Sequence, residues 1–361
     1  MNLWLEYALL AWYIVVLLNT FFWLLSWPAS KENKASHLKA EGVSVVICSR
    51  NAAHQLPEQI PYWLNQEYPI WELIILDDHS SDGSWDILQK WGQNPRVRIY
   101  SMSEEGILPG KKYAQRFGVS KARFSWILVT DADCKPASSS WIQRMMQARK
   151  KDTPVVLGVG LLEKAPGLLN RFIRYELVHT AVQYLTATYW NIPYMGVGRN
   201  MLFERQLFQK TEKRSGDHLP YGDDDLFINA ISSYPMSYCL HPEGFTLSPA
   251  KDSLSAYLDQ KKRHLSTGKY YRVFHQLLLG GWALVHFIFW LGLFTLLPFY
   301  PIPILLIGIV RFALCIFALS PWTRVLSQGD ILPWFPLLDL FFLCIYLRGF
   351  WFIFWRDKGG W

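Results

Sequence analysis

Residues 127–136 read ILVTDADCKP, so Asp131 and Asp133 stand one residue apart directly after an apolar run. If the chain turns there, both carboxylates point to one side. Carboxylates that close repel, which raises a pKa or calls for a cation between them. Hard divalent ions, Mg2+ or Mn2+, take oxygen ligands and often share their shell with substrate phosphates. A solvated acidic turn fits the same three residues, and a pattern this short does not decide between the two.

Other stretches of the polar middle carry residues of the same kind. LDDHSSDGS (76–84) holds Asp77, Asp78 and Asp82. It reads either as an Asp/Ser/Gly turn with an N-cap or as a nucleoside pocket with a carboxylate acceptor. GKKYA (110–114) offers Lys111 and Lys112, point charges suited to a diphosphate or simply surface lysines. YGDDDLFINAI (221–231) sets Asp223, Asp224 and Asp225 before a helical run. They complement the helix dipole, or one of them is a general base for a hydroxyl. Gln260, Arg263 and His264 fall at i, i+3 and i+4, one face of a helix whose basic and aromatic residues also suit a membrane interface.

The elements needed to position these residues are visible in the hydrophobic pattern. VSVVIC (43–48), WELIIL (71–76), VRIYS (97–101) and FSWILVT (124–130) read as strands, and PVVLGVGLL (154–162) as a further one. Residues 52–67, with Leu56, Ile60, Trp63 and Leu64 on one face, read as a helix, as do WDILQKWGQ (85–93), 110–122 and 138–150. Ser81, Asp82 or Ser84 would cap the second of these helices. Alternating strands and helices at short spacing predict an α/β sheet with parallel strands. Ligands of such sheets sit outside the carboxyl ends of the strands. Three of those ends are polar or acidic: Ser49–Asn51, Asp77–Asp82 and Asp131–Asp133.

Composition sets the surroundings. Of 361 residues 51% are hydrophobic and 18% charged, with 18 tryptophans. From Leu3 to Trp27 the only charge is Glu6, which predicts an uncleaved transmembrane anchor; a signal peptide needs a basic start and a shorter apolar stretch. Leu277–Leu297, Ile302–Leu319 and Pro333–Trp355 are three further apolar segments, the last two carrying Arg311 and Arg348. An intramembrane arginine must snorkel, pair or face a cavity. Basic clusters at Lys31–Lys39 and Lys261–Arg272 bracket the polar middle and predict that it faces the cytoplasm. Five scattered cysteines without CxxC or Cys/His spacing point to a reduced compartment and no structural zinc. The net charge of +7 suits an anionic membrane surface, and no basic helix or interleaved aromatic pattern points to nucleic acid.

VSVVICSRN, LDDHSSDGS, GKKYA, DAD, GDDDLF and QKKRH, in this order, resemble an inverting family 2 glycosyltransferase across residues 40–270. The resemblance implies a GT-A, Rossmann-like α/β domain over 31–250, flanked by a transmembrane anchor (1–30), an interfacial segment (251–275) and a C-terminal membrane region (276–361). It implies a nucleotide sugar, UDP- or GDP-linked, bound by Ser49, Arg50, Asn51, Asp78, Lys111, Asp131 and Asp133. Mg2+ or Mn2+ would sit on Asp133 and Asp131, with Asp133 the direct ligand. Asp224 matches the base position and Asp223 the acidic residue before it. Gln260 and Arg263 match a QxxRW motif in which His264 stands where the family has tryptophan. MGVGRNMLFERQLF (195–208) resembles the acceptor-side loop, giving Gly198, Arg199 and Asn200, with His264 also facing the acceptor. One anchor before the domain and three apolar segments after it resemble lipid glycosyltransferases such as ceramide glucosyltransferase. That implies transfer of one sugar to a lipid, lipid-linked or saccharide hydroxyl, at the inner membrane if the source is bacterial. A processive polysaccharide synthase, with Arg311 and Arg348 lining a channel, is the alternative. A nucleotidyltransferase and a non-catalytic membrane scaffold are further ones, the former disfavoured because no glycine-rich loop follows VVIC.

Overall fold

The structure is a computed structural model that describes residues 3–31, 39–211, 222 and 224–355. The chain opens with α1 (Leu3–Leu25). There follow β1 (Val43–Ser49), α2 (Leu56–Leu64), β2 (Trp71–Asp77), α3 (Ser84–Trp91), β3 (Val97–Ser101), α4 (Lys111–Lys121) and β4 (Trp126–Asp131). Shorter elements come next: β5 (Lys135–Pro136), α5 (Trp141–Gln147), β6 (Val155–Leu157) and β7 (Gly160–Leu162). After α6 (Leu168–Tyr189) come β8 (Met201–Glu204), α7 (Arg205–Lys210), α8 (Asp225–Ala230), β9 (Met236–Tyr238) and β10 (Thr246–Ser248). The chain then runs through α9 (Leu254–Thr267), α10 (Val273–Leu296), α11 (Pro301–Val325) and α12 (Phe335–Trp355). It divides into two units: Glu32–Lys164 with Ala187–Ala250, and Met1–Lys31 with Ala165–Thr186 and Lys251–Trp361.

The first unit is an α/β sandwich on a sheet of order β3-β2-β1-β4-β8-β6-β9. The period of two in a strand decides which helices cover it. Val45, Ile47, Leu73 and Ile75 join Leu56, Ile60 and Trp63 of α2 in one core cluster. On the other face α4 comes close through Gly118, where a Cβ would lie 2.5 Å from Leu76 and 2.8 Å from Val46. With both faces covered, the central strands read as unbroken apolar runs. β3, β2, β1 and β4 are parallel as expected, but β8 is antiparallel to both β4 and β6, so the sheet is mixed. The expected single strand over 154–162 is divided. β6 stays in the main sheet, while β7 joins a small sheet of order β5-β10-β7. Asn200 is the reason: its side chain presses on Gly158, where a Cβ would lie 2.4 Å from Asn200 Cγ, and the chain changes sheets at that point.

The second unit holds the apolar helices. Four segments are long and apolar enough to cross a membrane: Leu3–Ser30, Val273–Leu296, Pro301–Val325 and Gly329–Arg348. α1 meets α10 through Trp12, whose Nε1 donates to Phe289 O at 2.9 Å and whose ring takes the space that Gly292 leaves. Arg311 of α11 is fully buried and pairs with Asp339 of α12 at 2.9 Å, while Asn19 of α1 accepts from the same guanidinium at 2.7 Å. Tyr175 of α6 donates to Asp339 at 3.0 Å. Of the three ways to keep an arginine in a membrane segment, this chain therefore uses pairing. The channel-lining role considered for Arg311 does not fit a side chain with no exposed surface; Arg348 is exposed.

Candidate functional site

Register brings the acidic strand ends to one edge. Cys48 of β1 pairs with Asp131 of β4, and Ser49 with Asp77 of β2. After β1 the chain steps to β2 on one side and later returns to β4 on the other. The gap between β1 and β4 is thus the topological switch point at which such sheets bind ligands. Because β8 runs antiparallel to β4, the residues before β8 arrive at the same edge: Thr130 Oγ1 donates to Arg199 O at 2.7 Å.

The Asp131–Asp133 pair sits on a closed turn. Cys134 N donates to Asp131 O at 3.0 Å, and Trp63 Nε1 of α2 holds Cys134 O at 2.8 Å. The Cys134 thiol lies 3.4 Å from Asp133 Oδ1 as its donor. Burial, with the charges of Asp131 and Asp133 adding to it, pushes that thiol well up, so it stands as S–H at neutral pH. Asp131, Asp133 and Cys134 bring their ligand atoms within 4.8 Å of one another. The two half-exposed carboxylates are hard donors that fit Mg2+ or Mn2+, whereas the Cys134 sulfur is soft and buried. Lys111 Nζ lies 2.7 Å from Asp131 Oδ1.

Lys111 also connects this turn to the base candidate. Gly198 N donates to Asp224 Oδ2 at 2.6 Å. A Cβ on Gly198 would lie 3.1 Å from that oxygen and 3.3 Å from Lys111 Nζ. Asp131, Lys111, Gly198 and Asp224 are therefore one cluster, although they come from β4, α4, the loop before β8 and the residue before α8. Asp223 lies outside the described residues.

The turn after β2 packs Asp78 against the start of α4. Asp78 is 3% exposed, and both its oxygens receive Gly110 N–H, at 2.9 and 3.0 Å. His79 Nδ1 is 3.2 Å away and Arg50 4.0 Å. Gly110 has φ +136°, a conformation that favours glycine, so this bond fixes the start of α4 and with it Lys111. Asn51, at φ 49°, receives Ser81 N on its side chain at 2.9 Å and donates its own N–H to Ser80 Oγ at 2.9 Å. Ser49 Oγ and Asp77 Oδ1, paired in register, are buried without an internal hydrogen-bond partner. Of the proposed caps, Asp82 receives Ser84 N at 3.1 Å.

Two acceptor-side residues differ in kind from Gly198. Asn200 is fully buried; its Oδ1 accepts from Trp141 Nε1 at 3.0 Å, and its Nδ2 donates to Val159 O and Gly244 O. It is the pin beneath the loop rather than a group turned to an acceptor. Arg199 is half-buried and reaches Ser248 Oγ at 3.3 Å. Gln260, Arg263 and His264 belong to the other unit, on α9, with Gln260 half-buried and the other two exposed. A side-chain N-cap from Ser253 and the Lys261–Glu176 pair, at 2.6 Å, hold that helix. Trp63, Cys134 and Gly110 are site residues that the sequence reading missed; the cysteine adjoining DAD was the one available signal.

Residues 44–211 match the family described as Glycosyl transferase family 2. Among curated proteins, the poly-beta-1,6-N-acetyl-D-glucosamine synthase of Staphylococcus epidermidis is 27% identical over 100 residues, 28% of this chain and 24% of that protein. The cholesterol galactosyltransferase of Borreliella burgdorferi is 32% identical over 92 residues, 25% of each chain. The first curated relatives are matched over only 24% to 39% of their length. Among solved structures, the mannosyltransferase PcManGT from Pyrobaculum calidifontis, in complex with GDP-Man and Mn2+, shares the fold with TM-score 0.60. That likeness covers 98% of this chain and 99% of the other at 15% identity.

Proposed function

We propose that this chain, which carries a family 2 glycosyltransferase domain, moves one sugar from a nucleoside-diphosphate donor to a hydroxyl of a lipid or lipid-linked acceptor, inverting the anomeric centre. The observation that carries the reading is the cluster of Asp131, Lys111, Gly198 and Asp224 at the switch point, where the Asp131–Lys111 pair and the base candidate Asp224 both come close to Gly198.

Asp131 and Asp133 would hold the divalent cation of the donor complex. Bound there, the cation supplies Lewis acidity that spreads the negative charge of the leaving diphosphate. Lys111 adds a fixed positive charge beside it. Asp224, steadied by Gly198 N–H, takes the proton of the acceptor hydroxyl as the new C–O bond forms at the anomeric carbon. The bond to the diphosphate breaks on the opposite face, and the nucleoside diphosphate leaves with the electron pair. A single displacement of this kind needs no carboxylate nucleophile. Ser49 and Asp77, with buried polar atoms unpaired at the strand ends, and Arg50, Asn51 and Asp78 around them support a nucleoside site. Arg199, in the loop before β8, serves the acceptor side.

The apolar helices and the likeness to a cholesterol galactosyltransferase support a lipid acceptor; the likeness to a polysaccharide synthase favours polymer formation as the second reading. We set the α/β unit on the cytoplasmic side of the membrane, the inner one in a bacterium, because basic residues cluster at Lys261–Arg272. Membranes containing the full chain, incubated with labelled UDP- and GDP-sugars with and without Mn2+, test the reading. Mn2+-dependent label in one solvent-extractable product is expected. Transfer without metal dependence contradicts the cation site, and a polymer ladder contradicts the single transfer.

A further inference from the structure

We infer that Trp63 and Cys134 are positioning residues that preset the carboxylate of Asp133 for its cation. The inference rests on the reading that the Asp131–Asp133 turn holds a divalent ion. A carboxylate on a surface turn ordinarily samples several side-chain torsions, and a ligand must wait for the productive one. Here the torsion is restrained from within. Cys134 is fully buried, and its backbone is held at both ends: N–H on Asp131 O at 3.0 Å, and C=O on the indole of Trp63 at 2.8 Å. Trp63 is itself 1% exposed, packed on the sheet with Ile60 and Leu56.

With its backbone held in this way and its side chain buried, the thiol meets Asp133 Oδ1 at 3.4 Å. A thiol is a weak donor. It orients the carboxylate while drawing off little of the charge that a cation needs. The chain from the indole to the carboxylate is thus an outer shell, of the sort whose removal costs about 10- to 100-fold in metal affinity. A cysteine that only filled core space would affect folding stability and leave cation binding unchanged.

The test is Mn2+ titration of the purified full chain in detergent, followed by electron paramagnetic resonance, with UDP present in one series and GDP in another. Wild type is expected to bind Mn2+ in one series, and Asp133→Ala to lose that binding. Cys134→Ala is expected to bind about tenfold more weakly. Cys134→Ser, which keeps a donor, should stay within about threefold, a smaller loss than that outer-shell range. At saturating Mn2+ the transfer rate of Cys134→Ala should return to that of wild type. If Cys134→Ala does not accumulate as folded protein, Trp63→Phe removes the indole N–H while keeping a ring, and should also weaken Mn2+ binding. Equal Mn2+ affinity of wild type and the folded alanine or phenylalanine variant overturns the inference and leaves the cation site standing. No Mn2+ binding by wild type in either series overturns the cation site itself.

Discussion

At the scale of single residues, Gly198 lies between the base candidate and Lys111. Its N–H steadies Asp224 at 2.6 Å, and the space where a Cβ would sit is bounded by Asp224 Oδ2 and Lys111 Nζ. Gly198→Ala should push base and lysine apart by a few tenths of an ångström. Misplacement by about 1 Å costs about 100-fold, so a shift of a few tenths should lower turnover by about 3- to 10-fold. Transfer kinetics check this, beside a thermal melt that should match wild type; an alanine variant with full turnover would contradict the role. The places of Asp131, Asp133 and Asp224 were legible in the sequence because their neighbours mark strand ends and helix starts. Asp78 and Asn200 were legible as polar residues at the right edge. What occupies them was not legible: Gly110 lies 32 residues from Asp78 and Trp141 lies 59 from Asn200.

At the scale of elements, Asn200 ties together α5, the segment between β6 and β7, and the turn before β10. Removing its amide orphans Trp141 Nε1 and Gly244 O, while Val159 O keeps the Thr246 N–H, and each orphaned buried group costs about 1–3 kcal/mol. Asn200→Ala should therefore lower the stability of the α/β unit by several kcal/mol, on the order of the sum of those terms. Denaturant unfolding followed by tryptophan fluorescence would show it, and a variant as stable as wild type would contradict the pin. The first four strands and the helices between them followed from apolar runs and periodicity. The split at Gly158 did not, because a run of valine, leucine and glycine looks the same whether it stays in one sheet or leaves it. α6 went unread for a related reason. Arg174, Glu176 and His179 are buried in it, so polar residues interrupt the face that periodicity would have found.

At the scale of the whole molecule, the apolar helices depend on one charged group being matched. Arg311 and Asp339 are both fully buried, with Asn19 and Tyr175 completing the shell. Breaking a buried pair by removing one partner costs about 3–5 kcal/mol, while replacing both by apolar residues is often neutral. Arg311→Leu and Asp339→Leu should each reduce the yield of folded protein in detergent, and the double variant should recover much of it. A double variant no better than either single one would contradict pairing as the reason the arginine is tolerated. The apolar segments themselves were plain in the sequence, and Arg311 stood out within one. Its partner, 28 residues away on another helix, did not.

The proposed sugar transfer at the edge holding Asp131, Lys111, Gly198 and Asp224 uses Asp224 as its base. It is tested most directly by comparing wild type and Asp224→Asn for transfer of labelled sugar at saturating donor and Mn2+, with Mn2+–nucleotide binding measured on the same samples. A loss of about 100- to 10,000-fold in turnover is expected, the range of general-base catalysis, with binding retained. Turnover within a few-fold of wild type in a variant that still binds the nucleotide would contradict it.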